Sequence, residues 1–442
     1  MTIISEEKVC YCCWGVMFKI YHFCYQFIGI ILLPFFFLWT LLHLLFRPGY
    51  FKAYLQRFGW NLPNVGAGNK PAVWVHAVSV GEVASCEPFI AILIREGYEV
   101  YLSTTTPTGF ETSQKMYPDV HVFYYPLDYG FIIHRFLKRI NPVKVFLVEM
   151  EFWPGFIYKV HKKGIPLYLV SGRLADKEFK NYLRFRFFFS HYLDLFSGLY
   201  MQFEKDTARM KQLTHNSQTY TSVSLKFDVT PPEKLYDIVS LLPDIPYILA
   251  ASTHRGEEEV IIREYMKILD THPHTALLIA PRHPHRAGEI TAIAKNLRMP
   301  VTLRSENRKA KEGIFIIDTV GELMGVFPGS LLVIMGGTLY KGTGGHNIIE
   351  PALFGKCVVT GRYMDNFQDI FEAFLNDHAV IVSDPEILGI TIAEVLINPQ
   401  RLKQTGENAL KLVERNRGGA ERLYQRIFKN SPVDSSQKFY FT

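Results

Sequence analysis

The sequence lacks several patterns by which common classes of protein are recognised. Its six cysteines do not provide two C-x-x-C pairs of the kind that hold zinc, and they suggest no disulfide framework. Neither the Gly-x-x-x-x-Gly-Lys-Ser/Thr phosphate-binding motif nor an Asp-x-Asp metal clamp is present. These absences exclude a disulfide-stapled domain and a P-loop nucleotide site, and they favour a reducing compartment. Four cysteines lie within residues 10–24, where acylation and a role without special chemistry both stay open.

Charged residues are also few, at 20% of the 442 residues, whereas hydrophobic residues make up 48%. Such a composition excludes a disordered chain and allows sizeable cores in two or three domains. The net charge of +6 indicates an anionic partner, such as phosphates, acidic lipids or nucleic acid, without choosing among them.

One apolar run is long enough to cross a membrane. Residues 27–46 contain no Asp, Glu, Lys or Arg, and about 20 such residues span a bilayer as a helix. A cleaved signal peptide is the alternative, but its apolar region is shorter and small residues follow it. Here Arg47, Lys52 and Arg57 follow the run, which favours a cytoplasmic location for the rest of the chain. We therefore predict a single-pass anchor within residues 1–50.

Beyond residue 68, apolar runs alternate with helical patterns in two series. The runs are 72–78, 99–105, 120–126, 143–150 and 165–172, then 247–252, 275–281, 313–319, 331–337 and 356–361. Four prolines within 229–246 predict a hinge between the series. Near-continuous apolar strands separated by helices are typical of a parallel sheet covered on both faces. The sequence thus predicts two doubly wound, Rossmann-like α/β domains, over 60–228 and 247–430, and a loosely ordered tail over 431–442.

Ligands of such sheets bind beyond the carboxyl ends of the strands, so polar residues at those ends are candidates for function. Gly81 and Glu82 follow the first run, where the carboxylate can accept a proton from an attacking hydroxyl or simply cap a helix. Thr105, after the second run, suits anion binding or helix capping. Glu149 and Glu151 end the fourth run, and we expect them to be paired or functional because an isolated buried charge is costly.

Arg173 follows the fifth run and precedes a segment rich in both basic and aromatic side chains, residues 177–192. This mixture suits a lipid–water interface or nucleic acid. The alternative is an amphipathic helix whose aromatic side chains are core. Three consecutive phenylalanines at 187–189 cannot share one face of a helix, which favours partial lipid contact.

The candidates in the second domain also follow strands. A glycine-rich turn that opens a helix presents backbone N–H groups to a phosphate, and an acid within that helix can bind a ribose. The candidates are Ser252, Thr253, Arg282, Gly344, Gly345, Asn347 and Glu350.

The order of these motifs resembles that of the Kdo (3-deoxy-D-manno-octulosonic acid) transferase family, lipid A-specific glycosyltransferases of the GT-B class. The matching stretches are WVHAVSVGE (74–82), STTTPTGFE (103–111), VEMEFWP (148–154), SGRL (171–174), SLKFD (224–228), ASTHRGEEE (251–259), PRHPHR (281–286), GELM (321–324) and GGHNIIEP (344–351).

The resemblance implies two Rossmann-like domains that face each other across a cleft, with the acceptor on the first and the nucleotide on the second. It implies transfer of Kdo from CMP-Kdo to lipid A or its precursor, with inversion, at the cytoplasmic face of a bacterial inner membrane containing anionic lipids. Glu82 would be the general base, and Lys226 and Arg282 would stabilise the leaving phosphate. Neither a metal, another cofactor nor nucleic acid is expected, and the number of Kdo units added stays open.

Further contacts follow from the same resemblance. Glu350 would hold the ribose of the donor, and Arg173 would face the acceptor phosphate or the Kdo carboxylate. Two other functions remain open: a sugar-nucleotide epimerase of the same fold, and a non-enzymatic protein that binds membrane surfaces or nucleic acid. The anchor argues against the epimerase, and the polar residues at the strand ends argue against the binding protein.

Overall fold

The computed structural model describes residues 6–46, 50–62, 70–222, 224–229, 237–310 and 312–429. These residues form two compact units. Unit 1 contains the described residues up to Asp228 and those from Gly418 onward, and unit 2 contains those of Val229–Arg417. The predicted tail, 431–442, and residues 230–236 of the predicted hinge lie outside the described residues.

The secondary structure alternates between strands and helices, as the apolar runs predicted. The strands are β1 (Ala72–His76), β2 (Glu99–Thr104), β3 (His121–Tyr124), β4 (Lys144–Val148), β5 (Leu167–Gly172), β6 (Gly198–Met201), β7 (Thr219–Thr221), β8 (Tyr247–Thr253), β9 (Ala276–Pro281), β10 (Val301–Leu303), β11 (Ile314–Ile316), β12 (Ser330–Met335), β13 (Cys357–Thr360) and β14 (Ile381–Val382). The helices are α1 (Glu6–Phe46), α2 (Phe51–Arg57), α3 (Val80–Ser85), α4 (Glu87–Arg95), α5 (Pro107–Met116), α6 (Gly130–Ile140), α7 (Pro154–Lys162), α8 (Asp176–Arg184), α9 (Arg186–Leu193), α10 (Glu204–Leu213), α11 (Glu257–Leu269), α12 (Ala287–Asn296), α13 (Leu323–Val326), α14 (Ile349–Ala352), α15 (Gln368–Asn376), α16 (Leu388–Ile397), α17 (Pro399–Asn416) and α18 (Gly419–Phe428).

Each unit is built on one sheet of seven strands. The strand order is β3-β2-β1-β4-β5-β6-β7 in unit 1 and β10-β11-β9-β8-β12-β13-β14 in unit 2. The paired strands run parallel, as in the pair β1–β4 and the pair β8–β12. In both sheets the strand order reverses beside the first strand, which is where a doubly wound sheet binds its ligands. The predicted fold class of two doubly wound α/β domains is confirmed.

The strands are apolar because helices cover both faces of each sheet. On β1, Trp74 packs into one core with Tyr101 and Phe156, whereas Val73 and Val75 face the opposite core. Alternate residues of a strand point to opposite faces, so a doubly covered strand must be apolar at every position. Full burial of one such side chain contributes about 1.5–3 kcal/mol to folding.

The C-terminal helix α18 corrects one predicted boundary, since the second domain was expected to run to residue 430. Helix α18 belongs to unit 1. The carboxylate of Asp228 accepts hydrogen bonds from the backbone N–H groups of Gly418 (2.6 Å), Gly419 (3.1 Å) and Ala420 (2.6 Å). Tyr424 and other apolar side chains of the helix complete a core of unit 1. The amphipathic pattern of α18 does not reveal which sheet it covers.

Helix α1 is longer than the predicted apolar run and contains it. A stretch of 27 residues, Phe18–Leu44, contains an 18-residue window with a mean hydropathy of 2.3 and is long and apolar enough to cross a membrane. The helix also contacts the rest of unit 1. Tyr25 donates a hydrogen bond to the carboxylate of Asp128 (2.8 Å), and Tyr129 donates one to the carbonyl of Gly29 (2.9 Å). Helix α1 is therefore docked on unit 1 and is more than a flexible tether.

Candidate active site

Glu82 lies just beyond the carboxyl end of β1, in the first turn of α3. Its Oε2 accepts a hydrogen bond from the backbone N–H of Val78 (2.8 Å), and its Oε1 accepts one from the Ser79 hydroxyl (2.9 Å). The Ser79 Oγ in turn accepts from the Glu82 N–H (3.3 Å), which is the reciprocal pattern of a helix cap. Gly81 is exposed, and a methyl group there would meet only the Ser79 Oγ, at 3.9 Å. The geometry therefore confirms that Glu82 caps α3, and this role does not exclude a catalytic one.

The surroundings of Glu82 suit it to proton transfer. Burial and, after it, the negative charge of Glu149 raise its pKa to about 7, although the hydrogen bonds from Val78 and Ser79 act in the opposite direction. A carboxylate that is half ionised near neutral pH is a stronger base than an ordinary one and is still available to accept a proton. Glu82 can therefore cap α3 in the free protein and act as a general base when a hydroxyl approaches.

Glu149 and Lys226 form an ion pair beside Glu82. The Lys226 Nζ lies 2.9 Å from the Glu149 Oε1, and the two side chains are only 15% and 22% exposed. Glu149 follows β4 with a φ of +56°, in the left-handed region that disfavours residues other than glycine. Strain of this kind costs about 1–3 kcal/mol and clusters at functional sites. The backbone thus directs the Glu149 carboxylate toward Lys226 at an energetic cost.

Lys226 is positioned by its neighbours in sequence. Leu225 and Phe227 are buried, and the Leu225 N–H donates to the Ser171 Oγ at 3.4 Å. Ser171, near the end of β5, is also strained, with a φ of +54°. Asp228 caps α18, as described above, so both sides of Lys226 are tied to unit 1.

Glu151 differs from Glu149 in its partner. Its Oε2 accepts a hydrogen bond from the Trp153 ring N–H at 2.8 Å. Burial raises the pKa of Glu151 to about 7, and Glu149 adds to the rise. The structure thus separates the two acids, whose roles the sequence left open: Glu149 holds a lysine and Glu151 holds the loop that enters α7.

The N-terminus of α7 is capped by Asp128, which the sequence analysis missed. The Asp128 carboxylate accepts from the N–H groups of Gly155 and Phe156, each at 2.7 Å, and from Tyr25 of α1. Burial raises the pKa of Asp128 to about 6. The signal was weak because Asp128 lies more than 20 residues before the helix that it caps.

The threonines after β2 divide into structural and candidate functional members. The hydroxyls of Thr104 and Thr106 donate to the carbonyl of Val78 (2.9 and 3.2 Å), and Thr106 also caps α5. The Thr105 Oγ1 is buried and has no hydrogen-bond partner among the described residues. An unsatisfied buried hydroxyl is costly, which favours a ligand contact for Thr105.

Arg173 directly follows β5 and is half-buried.

The segment 177–192 forms part of α8 and of α9, and its three phenylalanines do not share one environment. Phe187 is 55% exposed. Phe188 and Phe189 are half-buried against the core, and the Phe189 ring centre lies 4.6 Å from that of Phe152. The expected contrast between one exposed ring and packed neighbours is present. Contact with lipid stays a prediction.

In unit 2, Glu257 organises the strand ends, although the sequence analysis did not single it out. Its buried carboxylate accepts from four backbone N–H groups, those of His254 (2.9 Å), Gly337 (2.7 Å), Thr338 (3.1 Å) and Leu339 (3.1 Å). Burial raises the pKa of Glu257, and these hydrogen bonds oppose the rise. Glu257 thereby ties the loop after β8 to the loop after β12.

Thr253 has a different role from the expected one. It is fully buried, and its hydroxyl donates to Glu258 (3.0 Å), which also receives two hydrogen bonds from Arg286 (2.6 and 3.1 Å). The Thr253 side chain is therefore structural and not available to a nucleotide. Ser252 precedes it with a φ of +56° and is half-buried.

The glycine-rich loop after β12 has a constrained backbone. Gly344 and Gly345 both have a φ of +78° and are buried, and a methyl group on either would collide with Asn366 or Met364. The Gly345 N–H donates to the Gly337 carbonyl at 2.9 Å, so it is not free to bind a phosphate. The helix that follows, α14, has only four residues. These glycines shape the loop, and their contact with a phosphate stays a prediction.

Asn347, Glu350 and Arg282 lie together at this loop. The Asn347 amide N–H donates to the Glu350 Oε1 (3.2 Å), and its oxygen accepts from the Ile349 N–H (3.1 Å). Burial raises the pKa of Glu350, whereas Asn347 and the positive charge of Arg282 lower it. Arg282 is exposed, and its backbone is tied to the carbonyl of Thr253 at 3.0 Å. An exposed cation beside a held carboxylate can bind both the phosphate and the ribose of a nucleotide.

The structure also reveals a histidine cluster that the sequence analysis missed. His254 and His346 both lie beside the Gly337 backbone and are joined by a 2.8 Å contact between their Nε2 atoms. His283 packs edge-on against His254. No group of three or more His, Cys, Asp or Glu side chains arranged to hold a metal occurs in the described part of the chain.

Comparison with known proteins identifies relatives of this site and fold. The family model for 3-deoxy-D-manno-octulosonic-acid transferase matches residues 52–229. The 3-deoxy-D-manno-octulosonic acid transferase of Haemophilus influenzae is 28% identical over 392 residues, which cover 85% of this chain and 91% of that protein. The enzyme of the same name from Rickettsia felis is 30% identical over 382 residues, covering 83% and 81%.

A structural relative shows how widely the fold is shared. UDP-GlcNAc 2-epimerase of Neisseria meningitidis superimposes with a TM-score of 0.57 at 12% identity, and the match covers 81% of this chain and 100% of that one. At this identity the likeness concerns the fold alone, whereas the two sequence relatives are 28–30% identical over most of the chain. The chain belongs to the Kdo transferase family.

Proposed function

We propose that this protein transfers Kdo from CMP-Kdo to lipid A or its precursor, with inversion at the anomeric carbon and without a metal. One observation in the site carries this proposal. A carboxyl group with a pKa of about 7, Glu82, lies at the switch point of a doubly wound sheet, beside a strained, ion-paired Glu149. This arrangement suits removal of a proton from an acceptor hydroxyl.

In the proposed step, the proton and the leaving group are both accounted for without a cofactor. The acceptor oxygen attacks the anomeric carbon of Kdo while its proton passes to a carboxylate oxygen of Glu82. The bond between the anomeric carbon and the phosphate oxygen breaks on the opposite side, and CMP leaves with the electron pair. Stabilising the charge on the leaving group is commonly the largest catalytic contribution.

Residues of both units support this chemistry. In unit 2, Arg282 would bind the CMP phosphate, and Glu350, held by Asn347, would accept hydrogen bonds from the ribose. In unit 1, Thr105 and Arg173 are the candidates for the acceptor. Lys226 already pairs with Glu149, so its direct contact with the leaving phosphate stays a prediction.

The membrane assignment rests on α1 and on the segment 177–192. We propose that α1 anchors the protein in the inner membrane, with both units on the cytoplasmic side. Phe187, exposed beside Tyr21 of α1, would lie at the membrane surface together with basic residues of α8 that attract anionic lipids. The acceptor, an amphipathic glycolipid, would then reach Glu82 from the surface that holds the protein.

One assay tests the proposal. The purified full-length protein is incubated with CMP-Kdo and a lipid A precursor, and CMP release and glycolipid formation are measured together. One CMP is expected for each Kdo unit transferred to the glycolipid, in the presence of EDTA as in its absence. CMP-Kdo consumption without glycolipid would refute the transferase, and a loss with EDTA that magnesium restores would refute the metal-free mechanism. An epimerase would release no CMP.

A further inference from the structure

The contact between His254 and His346 is a hydrogen bond that runs edge to edge. The two Nε2 atoms are 2.8 Å apart, the rings are within 9° of parallel, and their centres are 5.0 Å apart. Face-to-face stacking would not bring two ring nitrogens this close, so one ring must donate an N–H and the other must accept it. The backbone of Gly337 lies against the same edges: a methyl group there would be 3.1 Å from the His346 Nε2 and 3.4 Å from the His254 Cδ2.

This geometry determines where an additional proton can go. With one proton between the two Nε2 atoms, the neutral pair carries one protonated Nδ1 and one bare Nδ1. A single further proton on the bare Nδ1 preserves the Nε2–Nε2 hydrogen bond and makes it charge-assisted, which strengthens it. No described residue hydrogen-bonds to either Nδ1 atom. The protonated pair would therefore offer two N–H donors to a ligand.

Burial and the surrounding charges keep the pair neutral in the free protein. Burial, reinforced by His254, Arg282 and His283, lowers the pKa of His346 to about 4. Burial also lowers the pKa of His254, with His283, Arg282 and Arg286 acting in the same direction.

The acids nearby are already engaged. Glu258 raises the pKa of His254 but binds Arg286 and Thr253, and Glu257 is occupied by four backbone N–H groups. Glu350 accepts a hydrogen bond from Asn347 and interacts with the charge of Arg282. The cluster therefore has an excess of positive groups and a pair of rings that can accept one more proton once an anion arrives.

We propose that the His254–His346 pair contacts the anionic part of the nucleotide donor and takes up one proton as that anion binds. This inference rests on the proposed function, because it takes CMP-Kdo as the donor. A phosphate or carboxylate placed at the cluster offsets the repulsion from Arg282 and His283, so that the imidazolium form becomes favourable. The two histidines are then donor-binding residues that gain their charge only in the complex.

Calorimetric titration with CMP tests the proposal on the full-length protein in detergent. Measurements at about pH 7.5 in two buffers with different heats of ionisation give the number of protons taken up. The phosphate of CMP is largely ionised there, since the second pKa of a phosphate monoester is about 6. We expect close to one proton for the wild type and close to none for His254→Gln and His346→Gln, which keep a hydrogen-bonding amide but cannot accept a proton. His274→Gln, at an exposed position just before β9, is the matched control and should retain the wild-type value.

The outcomes separate this inference from the proposed function. Binding of CMP without proton uptake, or an unchanged uptake in both glutamine variants, overturns the inference and leaves the donor assignment standing. Failure of the wild type to bind CMP overturns the donor assignment and the inference with it. Should both variants fail to fold, the wild type still decides, because proton uptake requires its affinity for CMP to fall by up to about tenfold per pH unit as the pH rises above 7. An affinity independent of pH in that range overturns the inference.

Discussion

The two units have the same fold but opposite chemistry at the carboxyl ends of their strands. In unit 1, Glu82 and Glu151 are acids whose pKa is raised to about 7. In unit 2, His254 and His346 are bases whose pKa is lowered. Burial is the main cause in both, because it disfavours whichever form is charged. One unit is thereby suited to accept a proton from an uncharged hydroxyl, and the other to bind an anion.

The units also share a strained backbone conformation near the ends of their central strands. Glu149, Ser171 and Ser252 all follow or end a central strand with a φ between +54° and +56°. Such a turn directs the next side chains across the end of the sheet at a cost of about 1–3 kcal/mol. The same strained conformation therefore occurs in both units, twice in unit 1 and once in unit 2, and the residues placed there decide the chemistry.

The largest effect is expected from removing the base of unit 1. Glu82→Gln keeps the shape and one of the two acceptor oxygens but cannot accept a proton, and loss of a general base costs about 10²–10⁴-fold in rate. In the wild type, the rate should rise with pH up to about 7, as the Glu82 carboxyl ionises, and then level. Steady-state rates of CMP release measure both effects.

The control for that variant is Glu87→Gln, which changes an exposed acid at the start of α4. It should retain the wild-type rate and pH profile. A folded Glu82→Gln protein that transfers Kdo at close to the wild-type rate would show that the base is elsewhere.

The ion pair beside Glu82 gives a second prediction: removing one partner should shift the pH profile in the opposite direction from removing the other. Glu149→Gln removes the negative neighbour that raises the pKa of Glu82, so the rising part of the pH profile should move to lower pH. Lys226→Met leaves Glu149 without its cation, so the rising part of the pH profile should move to higher pH. An unpaired, partly buried carboxylate should also lower the free energy of unfolding by about 1–3 kcal/mol.

The pH dependence of kcat/KM and urea unfolding measure these two consequences. Lys205→Met, which alters an exposed surface lysine on α10, serves as the control for loss of a lysine. If the pH profiles of Glu149→Gln and Lys226→Met shifted in the same direction, Glu149 would not act on Glu82 through its charge.

The aromatic segment gives a third prediction, which separates surface from core. Phe189 packs against Phe152 and Tyr182, so Phe189→Ser should lower the free energy of unfolding by about 3 kcal/mol. Phe187 is 55% exposed, so Phe187→Ser should change stability by less than about 0.5 kcal/mol. Phe187→Ser should nevertheless reduce turnover of a lipid acceptor in anionic vesicles without weakening the binding of CMP. Normal turnover on vesicles would place the membrane contact elsewhere.

Most of the sheet structure could be predicted, and the reason is physical. All ten apolar runs contain a strand, since a strand covered on both faces is apolar at every position. The missed strands β6, β7, β10 and β14 have two to four residues and do not stand out from their surroundings.

Residues at the ends of long strands could be predicted as candidates, as Glu82 and Arg282 were. The residues that hold the site together could not. Glu257 binds backbone groups some 80 residues away, His254 meets His346 across 92 residues, and Asp228 caps a helix 190 residues later. No periodicity in the sequence records such contacts, because each joins two loops whose proximity only the finished sheet creates.

The smallest effect is expected at the threonines after β2, where structural and ligand roles are adjacent. Thr106 caps α5 by accepting a hydrogen bond from the Gly109 N–H (3.1 Å), so Thr106→Ala should cost about 1 kcal/mol of stability. The Thr105 hydroxyl is buried and has no partner among the described residues, so Thr105→Val should not lower stability and should raise the KM for the lipid acceptor. Urea unfolding and initial rates at varied acceptor concentration test the pair. A Thr105→Val protein with lower stability and an unchanged KM would mean that this hydroxyl supports the fold, and that the acceptor contacts of unit 1 lie at other residues.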